Sequence, residues 1–525
     1  MSQTQTEEPM THRQVLEALS GLLLALFVAM VSSTIVSTAL PKIIGALNGT
    51  QTQYTWVVTA TLLTATATTP IWGKLADLYN KKVLVQVSIV IFVLGSMLSG
   101  LAQNTGELIA ARAFQGIGVG GLQALVQVVI AAMISPRERG RYNGYLGGVM
   151  AVATVGGPLL GGVIVDTSWL GWRWCFFVGV PVAVIALVVL QKTLHLVTIK
   201  RDNVKIDYLG AGLIAVGVSV LLIWVSFVGG SFAWLSWQSA VMVAAGLVLL
   251  ALAVWVESRA AEPVVPLDIV KQRTTALSIV ASLAVGMAMF GGAVFLGQYF
   301  QIGRGYTPTE AGLLTIPLMA GVLISSIVVG QLITRTGRIK PYIVAGTIVL
   351  VAGFAALSTI DHETSLVFVS GAMLLIGVGV GMSMQNLVLA VQNSVPLKDI
   401  GAASSTVAFF RSLGGTIGVS VLGAILARRV TSNITESLAA AGVHAPAGGG
   451  KTSNLNLNAL PEAMRHIVRA AYGDATGHIF LVSACIAVVG VIAALLMRPA
   501  MLRSTLDLSA AKTTEATDKP VGVSR

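Results

Sequence analysis

Ile117-Gly118-Val119-Gly120 and Ile376-Gly377-Val378-Gly379 are the same four residues, 259 positions apart. Two further matches keep almost that spacing. Gly73-Lys74-Leu75 answers Gly330-Gln331-Leu332 at 257, and Gly156-Gly157 answers Gly414-Gly415 at 258. Matches that share an offset and lie in chain order mark an internal duplication. The duplicated unit is legible from hydropathy. A helix needs roughly 20 apolar residues to cross the hydrocarbon core. Fourteen such stretches run over 16–40, 54–73, 82–102, 107–134, 141–165, 174–195, 207–229, 237–257, 275–300, 310–333, 341–360, 366–391, 402–428 and 478–499. The offset lays the first six on the last six in the same orientation and leaves the seventh and eighth between them.

The expected fold is therefore an all-α integral membrane protein of fourteen transmembrane helices: two pseudo-symmetric six-helix bundles with two inserted central helices. The boundaries read as an N-terminal segment 1–15, a first bundle 16–195, an insert 206–260 and a second bundle 274–500. That second bundle carries a long loop over 429–477, and a polar tail over 501–525 is read as disordered. Within the loop, Pro461 to Tyr472 reads as a short amphipathic surface helix. Parallel six-helix repeats are a transporter architecture, in which two bundles rock about a midplane site.

Composition agrees. Hydrophobic residues make up 55% of the 525-residue chain and charged residues 10%, and mean hydropathy is +0.83. Soluble domains carry about 25% charged residues, so a soluble enzyme and a disordered scaffold are both disfavoured. The net charge of +11 is a topology signal. With the N-terminus inside, 23 Lys and Arg fall on inner segments and eight on outer ones, the bias that orients spanning helices. No nucleic-acid partner is expected. The polar start followed by an apolar run without a small-residue cleavage site reads as an uncleaved first span. Two cysteines exclude a disulfide framework. No phosphate-loop signature is present, and the six His show no metal-ligand spacing, so neither ATP drive nor a membrane-embedded enzyme is favoured, and no cofactor is expected.

Several motifs resemble those of the major facilitator superfamily, and more closely its fourteen-helix drug:proton antiporter branch of multidrug efflux transporters. Gly73-Lys74-Leu75-Ala76-Asp77-Leu78-Tyr79-Asn80-Lys81-Lys82 is similar to the signature between helices 2 and 3. Leu108 to Arg112 with Gln115 and Gly116 resembles the fourth-helix signature. Gly157-Pro158-Leu159-Leu160-Gly161-Gly162 resembles the antiporter signature of helix 5. Ser32 to Pro41 resembles the branch's first helix, and Trp172-Arg173-Trp174 with Pro181 its entry to helix 6. The resemblance covers about 16–500 and implies proton-driven export of amphipathic small molecules from a bacterial plasma membrane, by a monomer with both termini cytoplasmic. Dedicated export of an endogenous lipid or metabolite is the alternative, and a transporter-like sensor without flux a third.

The resemblance assigns gating and coupling to Asp77, Lys81, Lys82, Arg112, Gln115, Gly157 and Pro158, and Arg411 joins them as a second charge inside a span. Asp77 would close the inner gate at the start of a helix near Gly401, where a carboxylate meets a favourable helix dipole. Asn80 stands where the family usually has Gly, and the turn there calls for a left-handed residue. Arg112 is a charge inside a span, which usually faces protein or a cavity; with Gln115, Gln123 and Gln127 it forms one polar stripe, and its repeat partner is Gly371. An interfacial Arg112 reaching toward water is the other reading. Gly157-Pro158 interrupts the backbone ladder, and in the family this kink lies where the halves meet. Ser32, Thr34, Thr38, Gln123, Gln127, Gln298, Gln301, Gln385 and Asn386 are weaker cavity candidates. The branch commonly has an acid where this chain has Ser32, and no Asp or Glu lies near the middle of any span. That absence removes a counter-ion for cationic drugs. Neutral, zwitterionic or lipid-like substrates are expected instead.

Overall fold

The computed structural model describes residues 12–48, 51–167, 169–194, 207–228, 232–260, 263–265, 267–396, 399–440, 462–499 and 501–503. The architecture is all-helical. In order come α1 (His12–Ala46), α2 (Gln51–Leu78), α3 (Lys81–Leu101), α4 (Thr105–Met133), α5 (Pro136–Asp166), α6 (Trp174–Phe177), α7 (Gly179–Thr193), α8 (Tyr208–Phe227) and α9 (Trp237–Glu257). After them come α10 (Leu267–Val270), α11 (Arg273–Gln298), α12 (Pro308–Leu314), α13 (Ile316–Thr336), α14 (Lys340–Leu357), α15 (Leu366–Ser394), α16 (Ile400–Ala440) and α17 (Glu462–Leu496). α11 runs into a π-helical turn, Tyr299–Gly303. Among the described residues, twelve helical segments are long and apolar enough to cross a membrane, so the protein is a multi-pass membrane protein. The expected second and fifth spans, α2 and α5, are not among the twelve. Both are long, at 28 and 31 residues; the threonines of α2 lower its hydropathy, whereas several side chains within α5 lie outside the described residues. α2 packs against α4 and α16, and α5 against α1 and α13, while Val152, Leu160 and Val163 of α5 are exposed.

Local chemistry sets the ends. Asn80 caps α3, its side chain accepting from Lys82 N–H and Val83 N–H. Its φ is −62°, so the left-handed turn expected there is absent. Asn suits the position because its amide oxygen replaces missing helical acceptors. Asn104 caps α4, Ser236 α9 and Ser365 α15 in the same way. Thr307 and Glu310 form a reciprocal capping box on α12. Gly337 ends α13 with φ +67°, a conformation that glycine adopts without penalty.

One apolar core draws on residues between Val15 and Leu194, another on residues between Ala281 and Leu502. α8 and α9 pack on each other, and α8 also touches α2 and α16. At the end of the molecule where α2 joins α3, lysines and arginines bond the last carbonyls of helices. Lys82 Nζ donates to Gln191 O at 2.7 Å, Lys340 Nζ to Leu495 O at 2.8 Å and Arg273 Nε to Leu496 O at 3.1 Å. Cations are favoured at such ends. Lys82 and Lys340 are 258 residues apart and cap in the same way, so the duplication reaches the side-chain contacts.

The expected loop over 429–477 is mostly helix. α16 continues through Arg428 and Arg429 to Ala440, and α17 begins at Glu462; residues 441–461 lie outside the described residues. Asn433 Nδ2 donates to Ala471 O, Arg429 lies 3.4 Å from His478, and Leu426, Val430, Ala475 and Ile479 share a core. Pro461 itself is not described, and Glu462 to Tyr472 are the first turns of α17, not a separate surface helix. Hydropathy stops at Arg428, but helix propagation does not require apolar residues. At the other terminus of the chain, α1 starts at His12, inside the segment read as preceding the fold. The polar tail is held at 501–503 by Leu502 N–H to Gly337 O, while 504–525 lie outside the described residues.

The repeat register also needs correcting in α4 and α15. Gly118 sits against Ser88 and Phe92 of α3, and Gly379 against Gly346 and Leu350 of α14. Those partners differ by 258 each, so Gly118 corresponds to Gly379, at 261 and not 259. Alternating glycines match equally well when slipped by two. The structural counterpart of Arg112 is therefore Met373 rather than Gly371.

Candidate functional site: two glycine seams and a buried polar system

The halves of the chain meet along two repeat-related seams. In the first, Gly73 of α2 lies against Gly401 and Ser405 of α16; a Cβ at Gly73 would overlap both. In the second, Gly330 of α13 lies against the Gly140 carbonyl of α5. Gly73 and Gly330 are the matched residues of the duplication, and Gly140 and Gly401 are 261 apart, the register of α4 and α15. Glycine is needed at both because backbone meets backbone. Gly144 and Gly147 extend the second seam against Ile327 and Ser326.

Asp77 is one turn beyond Gly73, at the end of α2. Its Oδ1 accepts from Gly401 N–H and its Oδ2 from Ala402 N–H, each at 2.8 Å. Those are two of the unsatisfied donors at the start of α16, and a carboxylate there meets the positive end of the helix dipole. The resemblance placed Asp77 at a helix beginning near Gly401, and the geometry has it there. Its counterpart at the second seam is Thr334. No acid is required at that seam, because α5 starts at Pro136, a turn before Gly140, and its amides there are already bonded within the helix. Lys81 opens α3 and Lys82 bonds α7 rather than the facing half.

Beside the seams is a buried residue that sequence reasoning counted only as one more inner charge. Arg139 is 2% exposed. Its Nε donates to Ile134 O at 2.7 Å, its Nη2 to Ala131 O, and its Nη1 to Gln392 Oε1 at 3.0 Å. Gln392 Nε2 donates onward to Ser404 Oγ at 2.9 Å. Arg503 Nη2 bonds Gln392 O and Val395 O. A chain of bonds thus joins α4, α5, α15, α16 and the segment after α17. Nothing local in Arg137-Glu138-Arg139-Gly140-Arg141 distinguishes Arg139 from its neighbours; tertiary packing buries it.

Arg112 is 3% exposed, so it does not reach toward water. It donates through Nη1 to Gln115 Oε1, whose Nε2 donates to Ser96 Oγ of α3 at 2.6 Å. Thr61 of α2 donates to the Arg112 carbonyl. Among the described residues Arg112 Nε has no hydrogen-bond partner. The expected single stripe is divided: Arg112 and Gln115 turn to α3, whereas Gln127 Nε2 donates to Gln385 Oε1 of α15 at 2.6 Å. Gln123 is half-buried and joins neither.

The remaining candidates are dispersed. Gly157 abuts Thr34 of α1, which also donates to Ala153 O, so this part of the helix-5 signature packs within the first core and not between the halves. α5 continues through Pro158; the side chains of Pro158 and Thr38 lie outside the described residues. Asn386 bonds back to Met382 O. Gln298 and Gln301 are exposed at the end of α11 and in its π turn. Ser32 is buried, with no partner for its hydroxyl among the described residues. Arg411 is buried on α16.

Comparison with known proteins agrees with this architecture. A family model described as Major Facilitator Superfamily matches residues 22–205 and 208–419. The chain is 37% identical over 420 residues to Multidrug transporter protein MdtP of Bacillus subtilis (strain 168), covering 80% of this chain and 77% of that one. It is 36% identical over 488 residues to an MFS-type transporter, Rv1877, of Mycobacterium tuberculosis (93% and 70% covered). It is 32% identical over 500 residues to the efflux pump dotC of Dothistroma septosporum (94% and 85% covered). Among solved structures, the proton:xylose symporter XylE superposes with a TM-score of 0.59 at 14% identity, over 93% of this chain and 96% of that one.

Proposed function

The chain belongs to the major facilitator superfamily of membrane transporters, and from that premise we propose that it is a proton-coupled exporter of amphipathic small molecules working by alternating access. Relatives named multidrug transporter and efflux pump support export as the direction. The observation that carries the mechanism is the pair of repeat-related seams. Gly73 against Gly401 and Gly330 against Gly140 meet at one end, and Asp77 holds the first of them. Such contacts are built to part and reform. When they close, the chamber between the halves opens only to the opposite face.

In this reading α1–α7 and α11–α17 are the two six-helix bundles. α8 and α9 are inserted beside the α2–α16 seam, and α2 and α5 complete fourteen crossings. The Asp77 end is cytoplasmic, as the basic residues there require, and the protein works as a monomer in the plasma membrane. Arg112, desolvated and lacking an acidic partner among the described residues, is the coupling residue. Its partner Gln115, and Ser96 beyond it, do not titrate, so the proton is carried by Asp77, whose bonds to the Gly401 and Ala402 amides break when the halves part. Asp77 holds the gate.

The test is dye transport in vesicles with an imposed pH gradient, then with a sodium gradient. Transport that collapses with a protonophore and ignores sodium is expected. Indifference to both gradients excludes antiport.

A further inference from the structure

The seam between α11 and α16 contains polar groups that the gate does not use. Arg411 shares a face of α16 with Gly414, Gly415 and Gly418, at i+3, i+4 and i+7. Those three glycines abut Leu283, Phe290 and Met287 of α11, and Gly286 abuts the Arg411 carbonyl. Arg411 therefore faces α11, and it is 9% exposed. Its Nη1 has no hydrogen-bond partner among the described residues. One turn before Gly286 on α11 stands Ser282, and another turn before it Ser278. Their hydroxyls are buried and likewise unpartnered, as is that of Thr275. This is unusual in the molecule. Other helical hydroxyls bond the carbonyl one turn back, as Ser99 does to Gly95, Thr347 to Ile343 and Ser383 to Gly379.

A buried guanidinium on the face that packs against α11, the helix that carries these unpartnered hydroxyls, lacks an acceptor. Leaving it unpaired is costly, and no carboxylate forms an ion pair with it among the described residues. We propose that Arg411, with Ser278 and Ser282, forms an anion subsite that takes the carboxylate, sulfonate or phosphate group of an amphipathic substrate. This rests on the export reading and narrows it: the acid missing at Ser32 and the spare cation at Arg411 both select against cationic drugs and for molecules bearing an anionic head.

The probe is dansylamino-undecanoic acid against its methyl ester, bound to the purified full chain and followed by fluorescence. Wild type is expected to bind the acid more tightly than the ester. Arg411→Gln should weaken the acid about tenfold and leave the ester unchanged, and Arg411→Lys should recover part of the loss. Where Arg411→Gln fails to fold, the double variant Ser278→Ala, Ser282→Ala replaces it, with about a threefold loss for the acid alone. Inorganic phosphate that displaces acid and ester equally, equal binding of both probes by wild type, or equal losses of both in the variants overturns the proposal. Absence of counterflow for either dye in vesicles would instead count against export and leave the binding difference standing.

Discussion

The two seams share one backbone geometry and differ in chemistry. At both, a glycine of one half touches a glycine of the other. Only the α2–α16 seam carries an acid, because only α16 begins there with free amides; α5 has started a turn earlier. The same contrast holds inside the helices. Arg112, Gln115 and Ser96 form a polar trio in the first half, whereas the corresponding positions in the second are Met373, Ile376 and Phe354, all in the apolar core. The two halves share the packing, and the polar groups stand on one copy of each pair. Close approach depends on having no side chain and survives drift in everything around it. A charge is retained only where something pairs with it or uses it.

The largest expected effect tests whether the seams are equivalent. Leucine at Gly73 or at Gly330 must displace backbone of the facing half, beyond the roughly 1–3 kcal/mol of ordinary overpacking. Export by either variant is expected to fall about a hundredfold or more. A variant at one seam that still transports would show that the second contact is incidental. Next comes Asp77→Ala against Thr334→Ala. The first strips charge-assisted bonds worth about 1.5–3 kcal/mol from the closed gate. In a chain lacking Cys175 and Cys485, a cysteine replacing Ser405 should then react with a thiol reagent about ten to a hundred times faster. The second should change that rate by less than about twofold.

Arg112→Met makes the first half resemble the second. Methionine removes a desolvated charge but leaves the buried Gln115 Oε1 without its donor, a cost of about 1–3 kcal/mol, so the melting temperature should fall by only about 3–6 °C while gradient-driven export falls about tenfold. A large loss of stability instead would make Arg112 structural. The smallest effect is at Gln127 and Gln385. A double-mutant cycle of their alanine variants, read by thermal unfolding, should return about 1 kcal/mol of coupling; zero coupling would mean that the pair does not join the halves.

Much of this could be read from the chain before any coordinates. Apolar runs locate most helical bodies to within a few residues, but α16 runs on to Ala440 and α17 begins at Glu462, well outside the expected spans 402–428 and 478–499. Asp77 was placed through the motif it belongs to, and the geometry has its carboxylate on the amides of α16. Other features depend on information that no local pattern holds. Arg139 is one of three arginines in five residues, and only its burial distinguishes it. The glycine register slipped by two because alternating glycines look alike at either alignment. Hydropathy ends the α16 span at Arg428 because charge ends an apolar run without ending a helix.

The length of α16 has a mechanical consequence. At about 1.5 Å per residue, its 41 residues make a rod of about 60 Å, twice the hydrocarbon thickness. One end touches Asp77 and the other stands beside the first turns of α17. The rod is a lever arm, and a rocking of about 10° at the gate would sweep its tip through about 10 Å. A spectroscopic label near Glu436 would therefore register each turnover as a displacement far larger than any at the gate itself.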